Sequence, residues 1–493
     1  MKRIRITLCL LLCLTVLSSC GVQTASIPTA TLPPVSPGPA APYGDAALRY
    51  QSTVTLYLPS LDGQTLLAFY DTLTLTYGEH PAEAILRALL SHEGNARVSS
   101  IGGSTELTLA GSDPVILSGG VCTVNLSASA LLLSSQDFHT AAQSIAATLC
   151  ELDDIDYVNL LVAGTPVAMD VGGNLPLGAV AGSPGQELTV LWQQLTAKRT
   201  PVGELAASTP LTAAAALYFP LADGSGVAAE PRRLSFTGQH PQQLMTALLE
   251  ALSSGAAILS NTADMPDVMS LMLFMPEVVE LEGGGRRATL HFTADVLDSL
   301  ALSGCDPVCF FASLTMTLTS FVPSLQQVCF LSGNGALTTV TSPVHGARLF
   351  PGALHMRSHY TSLVMGQGTL YIPADTGLTA RTISLPHRST LSPRTLLLRL
   401  SECGALPQGL TDADILGISV HDGTLLINLS DRYGEQLRTA PDQRLAAYSV
   451  VTTLCQPLEL RRVRFYFSGS AVDSLGSDLT WSGEFMYRPG MAE

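Results

Sequence analysis

The sequence predicts an α/β chain, more closely α+β, built as three tandem copies of one module in which two helices pack on a small mixed sheet. Three observations predict it. Leu-Tyr-x-Pro occurs at Leu56-Tyr57-Leu58-Pro59, Leu217-Tyr218-Phe219-Pro220 and Leu370-Tyr371-Ile372-Pro373. Each copy is followed 20 to 22 residues later by a proline (Pro81, Pro241, Pro393) that opens an apolar run at helical spacing. Farther along, the threonine of a Thr-Leu pair (Thr148, Thr317, Thr453) stands 16 residues before a glycine (Gly164, Gly333, Gly469) that closes a β-rich run. Landmarks that recur in one order at nearly one spacing mark an internal repeat, here of roughly 130 to 150 residues.

Length and composition agree with this. A chain of 493 residues has room for about three domains, and 46% apolar against 13% charged residues gives each module a core to bury. The formal charge is −15, and falls to −18 if Lys2, Arg3 and Arg5 are removed with the first nineteen residues. A surface of that sign repels nucleic acid, and the basic spots are short (Arg461, Arg462 and Arg464; Arg286 and Arg287).

The N-terminus reads as a signal peptide over 1–19. Three basic residues precede a run of about a dozen mostly apolar residues, too short to span a bilayer, and the run ends in Leu17-Ser18-Ser19-Cys20. That ending resembles the bacterial lipobox, which implies lipidation of Cys20 and an acyl anchor on the extracytoplasmic face of the cell membrane. Residues 20–45, rich in Pro, Thr and Ala, read as a semi-extended tether between the membrane and the first module.

Module 1 is placed at 46–188. Extended runs at 54–58 and 66–75 flank the turn residues Leu61-Asp62-Gly63 and predict a hairpin. Pro81 then starts a helix whose stripe is Ala82, Ile85, Leu86, Leu89 and Leu90. Strands are expected at 106–110, 115–117 and 122–126, with Gly119-Gly120 as a turn, then a helix over 138–152 and a strand over 157–162. A linker at 189–212 leads to module 2 at 213–342. Its strands are expected at 216–219, 233–236, 271–274, 278–281, 288–292 and 328–331, with helices around Leu244 to Leu252 and over 308–321. A connector at 343–365 leads to module 3 at 366–488, with strands at 369–372, 378–385, 415–420, 425–429 and 463–467 and helices over 393–403 and 445–454. Extended tails at 173–177, 352–356 and 483–486 are expected to return to the edge of their own sheet or of the next module's sheet, shielding it.

Modules 1 and 3 share an Asn-Leu-Ser triplet after a glycine turn, at Asn125-Leu126-Ser127 and Asn428-Leu429-Ser430, where module 2 has His291-Phe292-Thr293. Together with the Leu-Tyr-x-Pro openings, the Pro-initiated helices, the Thr-Leu helix ends and the lipobox, these residues resemble the GerMN domain family of sporulation and spore-germination lipoproteins. The resemblance implies a compact α/β fold similar to ring-building domains of secretion-type machines, a setting in sporulation, germination or envelope assembly, and no catalytic residues. A third module and the missing triplet in module 2 depart from the family pattern.

The chemistry-bearing residues are sparse. Cys305 and Cys309, taken with Cys329, lack a histidine or second close pair to complete four ligands, so no metal site is expected. Besides these, Cys122, Cys150, Cys403 and Cys455 remain after export; Cys150 and Cys455 share a repeat position that suits a small buried side chain, and a Cys122–Cys150 disulfide stays open. Asp153, Asp154 and Asp156 read as a solvated loop, and His80 and His240, just before the helix prolines, as packing or capping residues. There is no Gly-x-Ser-x-Gly, His-Glu-x-x-His or phosphate loop. The expectation is a non-catalytic, cofactor-free lipoprotein whose one site residue is Cys20, acting as a scaffold for extracytoplasmic proteins or copies of itself. The alternative is a binder of cell-wall glycan or peptide in clefts between modules.

Overall fold

β1 (Arg49–Pro59) and β2 (Leu66–Thr76) form an antiparallel hairpin in which Leu58 stands opposite Leu67 and Leu56 opposite Phe69. The computed structural model describes residues 38–45, 49–197, 209–333, 335–375 and 377–491. The signal peptide, Cys20 and most of the tether therefore lie outside the described residues. Contacts group 41 onward into one unit; of the unit before it, only 38–40 are described, as irregular backbone.

α1 (Ala82–Ser91) follows Pro81 and buries Ala82, Ile85, Leu86 and Leu89, the stripe that its spacing dictates. β3 (Val115–Ser118) and β4 (Val121–Leu126) pair antiparallel; α2 (Ser135–Leu149) then carries the chain to β5 (Tyr157–Val162), which lies parallel to β4. β6 (Ala179–Ala181) returns antiparallel to β5 and also touches the next strand, through Ala179 and Ala214. The tail strand thus does both things expected of it, although it forms at Ala179–Ala181 and not at 173–177. Residues 106–110 make no strand. β3 occupies the edge of β4 that they would need, leaving them one bridge between Leu109 and Leu126 and two backbone bonds, from Ala110 N–H to Asn125 O and from Ser127 N–H to Thr108 O.

The linker is partly helical, as α3 (Leu188–Thr196). β7 (Leu211–Pro220) and β8 (Val227–Phe236) form the second hairpin, joined to the module 1 sheet in the order β3-β4-β5-β6-β7-β8. α4 (Pro241–Ser253), β9 (Glu277–Glu280), β10 (Arg286–Phe292), α5 (Val296–Ser303), α6 (Pro307–Phe321) and β11 (Leu325–Ser332) follow, with β10 parallel to β11. Residues 271–274 again give one bridge, Met272 to Phe292, instead of a strand. The connector is folded as well. β12 (Gly335–Ala336), a hairpin of β13 (Thr339–Ser342) and β14 (Gly346–Leu349), and β15 (Leu354–His355), which returns to β11, occupy it and the residues just before it.

β16 (Met365–Ala374) and β17 (Gly377–Pro386) are the third hairpin, followed by α7 (Pro393–Glu402), β18 (Ile415–His421) and β19 (Thr424–Leu429). After α8 (Asp431–Arg438) and α9 (Gln443–Cys455), β20 (Arg462–Phe467) lies parallel to β19, and β21 (Glu484–Met486) returns antiparallel to it. α5 and α8 are additions to the expected order. α8 is capped by Ser430 of the Asn-Leu-Ser triplet, whose Oγ accepts from the Tyr433 N–H at 3.2 Å.

One apolar core runs from Leu56 to Val364 through modules 1 and 2, while module 3 has its own around Leu425, Leu454, Phe465 and Trp481. The modules meet at Ser118, whose Oγ accepts from Ala229 N–H at 2.8 Å and donates to Met365 O at 2.5 Å. Gly119 permits the approach: its φ is +52°, and a Cβ there would lie 1.8 Å from Ala229 O.

Candidate functional site

The shared landmarks converge inside each module. The backbone N–H of the Leu-Tyr-x-Pro tyrosine donates to Oγ1 of the Thr-Leu threonine at 2.9 Å three times over, Tyr57 to Thr148, Tyr218 to Thr317 and Tyr371 to Thr453. A serine four residues before each threonine, unnoticed in the sequence, lies one helical turn away; Ser144 and Ser313 donate to the carbonyls of Tyr57 and Tyr218. The triplet asparagines close a second link, Asn125 Oδ1 accepting from Gly164 N–H at 2.8 Å and Asn428 Oδ1 from Gly469 N–H at 3.0 Å. These side chains join the hairpin, the second helix and the closing strand, so what the modules share is architecture.

Two neighbouring grooves run along the junction of modules 1 and 3. The larger, about 450 Å³, is lined by Thr76, Glu79, His80, Arg87, Leu117, His387 and Arg388, and the other, about 310 Å³, by Tyr50, Tyr77, Glu151 and Glu459 among others. Several of the charges around the larger groove are paired. His80 Nδ1 accepts from Ala82 N–H at 3.2 Å, which puts the ring proton on Nε2, facing Asp154 at 2.9 Å. His80 therefore caps α1 as its position suggested, and Asp154 accepts the hydrogen bond from its Nε2 and is not merely part of a solvated loop. Asp113 accepts from His387 Nε2 and Arg388 Nε, each at 2.7 Å. Burial opposes ionisation of Asp113, but the bonds from His387 and Arg388 outweigh it and hold the carboxyl below the usual carboxylate range.

Among the described residues the cysteines are all thiols, including Cys122 and Cys150, so the open disulfide is not formed in this structure. Burial raises the thiol pKa at Cys122 and Cys309, keeping both protonated. The cluster imagined for Cys305, Cys309 and Cys329 does not assemble. Cys309 instead meets Asp306 and His345, with the donor atoms of the three within 4.8 Å of one another. His345 comes from the β13–β14 turn, so no sequence spacing announced it.

At the tether end the structure departs from the expected path. Pro42 O accepts from Asn428 Nδ2 at 2.8 Å, Gly44 N–H donates to Leu416 O at 2.7 Å, and Asp45 takes a two-pronged contact from Arg394 at 2.8 Å on each oxygen. The chain thus crosses module 3 before it enters β1. In module 1 the corresponding amide, Asn125 Nδ2, donates to Ala110 O at 3.0 Å, so Pro42 supplies from outside the module what Ala110 supplies from within.

Residues 55–168 match the family model Germane, described as sporulation and spore germination. That match lies within the first module. It spans the Tyr57 opening, Asn125, Thr148 and Gly164, the residues that tie the first module together. The chain is similar to the tandem GerMN domains of the sporulation protein GerM from Bacillus subtilis, at 18% identity over 58% of this chain and 92% of that one, with a TM-score of 0.21. The first GerMN domain of the same protein matches at 21% identity over 28% of this chain and 97% of its own, TM-score 0.20. A Clostridium perfringens chain assigned as a lipoprotein matches at 18% identity over 27% and 87%, TM-score 0.18. No curated protein matches the chain.

Proposed function

We propose that this chain is a non-catalytic scaffold, anchored through a lipid on Cys20 to the extracytoplasmic face of the membrane, whose modules, with limits at 46–188, 213–342 and 366–488, hold other proteins or further copies of itself during sporulation, germination or envelope assembly. The observation that carries this reading is where the shared residues go: the repeated Tyr, Thr, Asn and Gly positions are engaged in hydrogen bonds that build the modules. Binding then falls to surfaces on which the modules differ. The middle of module 2 is such a surface, where Leu273, Phe274 and Met275 stand exposed in succession, Phe274 at 63%, with Ile258 at 70%. Pull-down from envelope extracts with the full chain in detergent, together with light scattering, tests it. Recovery of a defined partner or a stable oligomer, lost in Phe274→Asp, is expected; a monomer that recovers nothing sinks the proposal.

The paired grooves between modules 1 and 3 favour a second reading, recognition of a cell-wall glycan or peptide strand, for which they supply the length and mixed polarity. Sedimentation of the chain with purified cell wall at low salt is its test, and absence from the pellet removes it.

A further inference from the structure

At one end of module 2 three separate segments converge: the turn of the β7–β8 hairpin at Gly224, the N-terminus of α6 at Asp306 and Cys309, and the β13–β14 turn at His345. We infer that Asp306, Cys309 and His345, with the carbonyl of Gly224, form a binding site for a divalent ion of the zinc class. Cys309 Sγ and His345 Nε2 lie 3.7 Å apart. Two ligands on a tetrahedral zinc, with Zn–S about 2.3 Å and Zn–N about 2.0 Å, stand roughly 3.5 Å apart, so this edge is already close to its bound length. Gly224 O lies 3.3 Å from Cys309 Sγ and 2.8 Å from His345 Nε2. In the metal-free protein the S–H and N–H donate to that oxygen, which is how a site of this kind looks when protons occupy it.

The surroundings are built to aim these groups. Ser342 Oγ accepts from the N–H groups of Val344 at 3.0 Å and His345 at 2.9 Å and donates to Asp306 Oδ2, so one hydroxyl fixes both the histidine turn and the carboxylate. Asp306 Oδ1 caps α6, accepting from Val308 N–H at 2.9 Å and Cys309 N–H at 3.1 Å, which fixes the helix turn that carries the thiol. Gly224 has φ +68°, and a Cβ there would stand 3.1 Å from Val344 and 3.4 Å from Asp306, so only glycine brings the carbonyl so close. Cys309 is fully buried and Asp306 nearly so. A mixed sulfur, nitrogen and oxygen set selects zinc or cobalt over magnesium or calcium, which take oxygen ligands. On binding, the Cys309 thiol releases its proton to solvent, and the His345 ring proton passes from Nε2 to Nδ1, which leaves the Nε2 lone pair for the metal. One proton leaves per ion bound.

The test uses the full chain in detergent, stripped with a chelator, reloaded with Zn²⁺ or Co²⁺ and passed through gel filtration. Expected are one retained ion per chain, a thiolate-to-cobalt charge-transfer band in the near ultraviolet, and a metal affinity that falls at least about tenfold in Cys309→Ser and in His345→Ala but not in Cys329→Ser. Should Cys309→Ser fail to fold, His345→Ala, on a half-buried turn, gives the same readout. Retention near zero in the wild type, or undiminished in His345→Ala, or lost equally in Cys329→Ser, overturns the assignment.

Discussion

Replacing Thr317 by valine keeps the shape of the side chain and removes the acceptor of the Tyr218 N–H. That N–H points away from β8, and Tyr218 and Thr317 are 1% and 0% exposed, so water has no route to replace the lost partner. A buried donor stripped of its partner costs about 1 to 3 kcal/mol, and full burial places Thr317→Val toward the upper part of that range. Thr453→Val removes the same bond from Tyr371, 8% exposed, and ranks next. Thr148→Val ranks last, at about 1 kcal/mol, because its bond to the Tyr57 N–H is only partly buried and Tyr57 itself is half-buried. The cores add a second expectation: Thr317→Val and Thr148→Val shift one unfolding transition, that of the shared core of modules 1 and 2, and Thr453→Val shifts another. Urea unfolding followed by circular dichroism, with hydrogen exchange across β7, measures both. A Thr317→Val protein as stable as the wild type, or a reversed ranking, would refute the claim that the repeated landmarks exist to make this bond.

Arg394→Ala removes the clamp on Asp45 and the contacts to Asp412 and Ile415; with Arg394 a quarter exposed the loss is about 1 to 2 kcal/mol, read as faster proteolysis ahead of β1 and unchanged cleavage within module 2. Acid destabilises the chain through His139 and His355, which burial pushes down to about 4 and about 3. The unfolded chain takes a proton at each near pH 6.5 and the native chain does not, so their contribution is complete above pH 6.5 and declines as pH falls toward the folded values, by about 3 kcal/mol each between pH 7 and pH 4. Melting temperatures that stay flat over that window contradict it, and His355→Phe should shallow the slope. Gly119→Ala, with its Cβ driven into Ala229 O, loses more than about 3 kcal/mol, whereas Gly103→Ala, at φ +58° with open space around it, loses only about 1 to 2 from backbone strain; equal melting temperatures for the two would refute the close-approach argument.

What the sequence determined by itself was local or repeated. Pro241 and Pro393 open α4 and α7 because a missing N–H is harmless there, and the Ala82 to Leu89 stripe required a buried face whatever it met. Three hairpins and two main helices per module follow from such signals. Even where a span looked extended, as at 106–110 and 271–274, the pattern could not tell whether a neighbouring strand had already taken the available edge.

Tertiary structure alone decided how distant stretches meet. The strands of modules 1 and 2 join into one sheet through a single bridge from Ala179 to Ala214, and the docking of Pro42 to Asp45 on module 3 joins residues more than 350 positions apart. Nothing in the residues around Pro42 distinguishes that docking from a tether, because irregular backbone recognised by side chains has no period. The same holds for Asp306, Cys309 and His345. Chain periodicity reports only which face of an element is buried; which donors gather around one carbonyl is set by how three turns pack, and that is a property of the folded core.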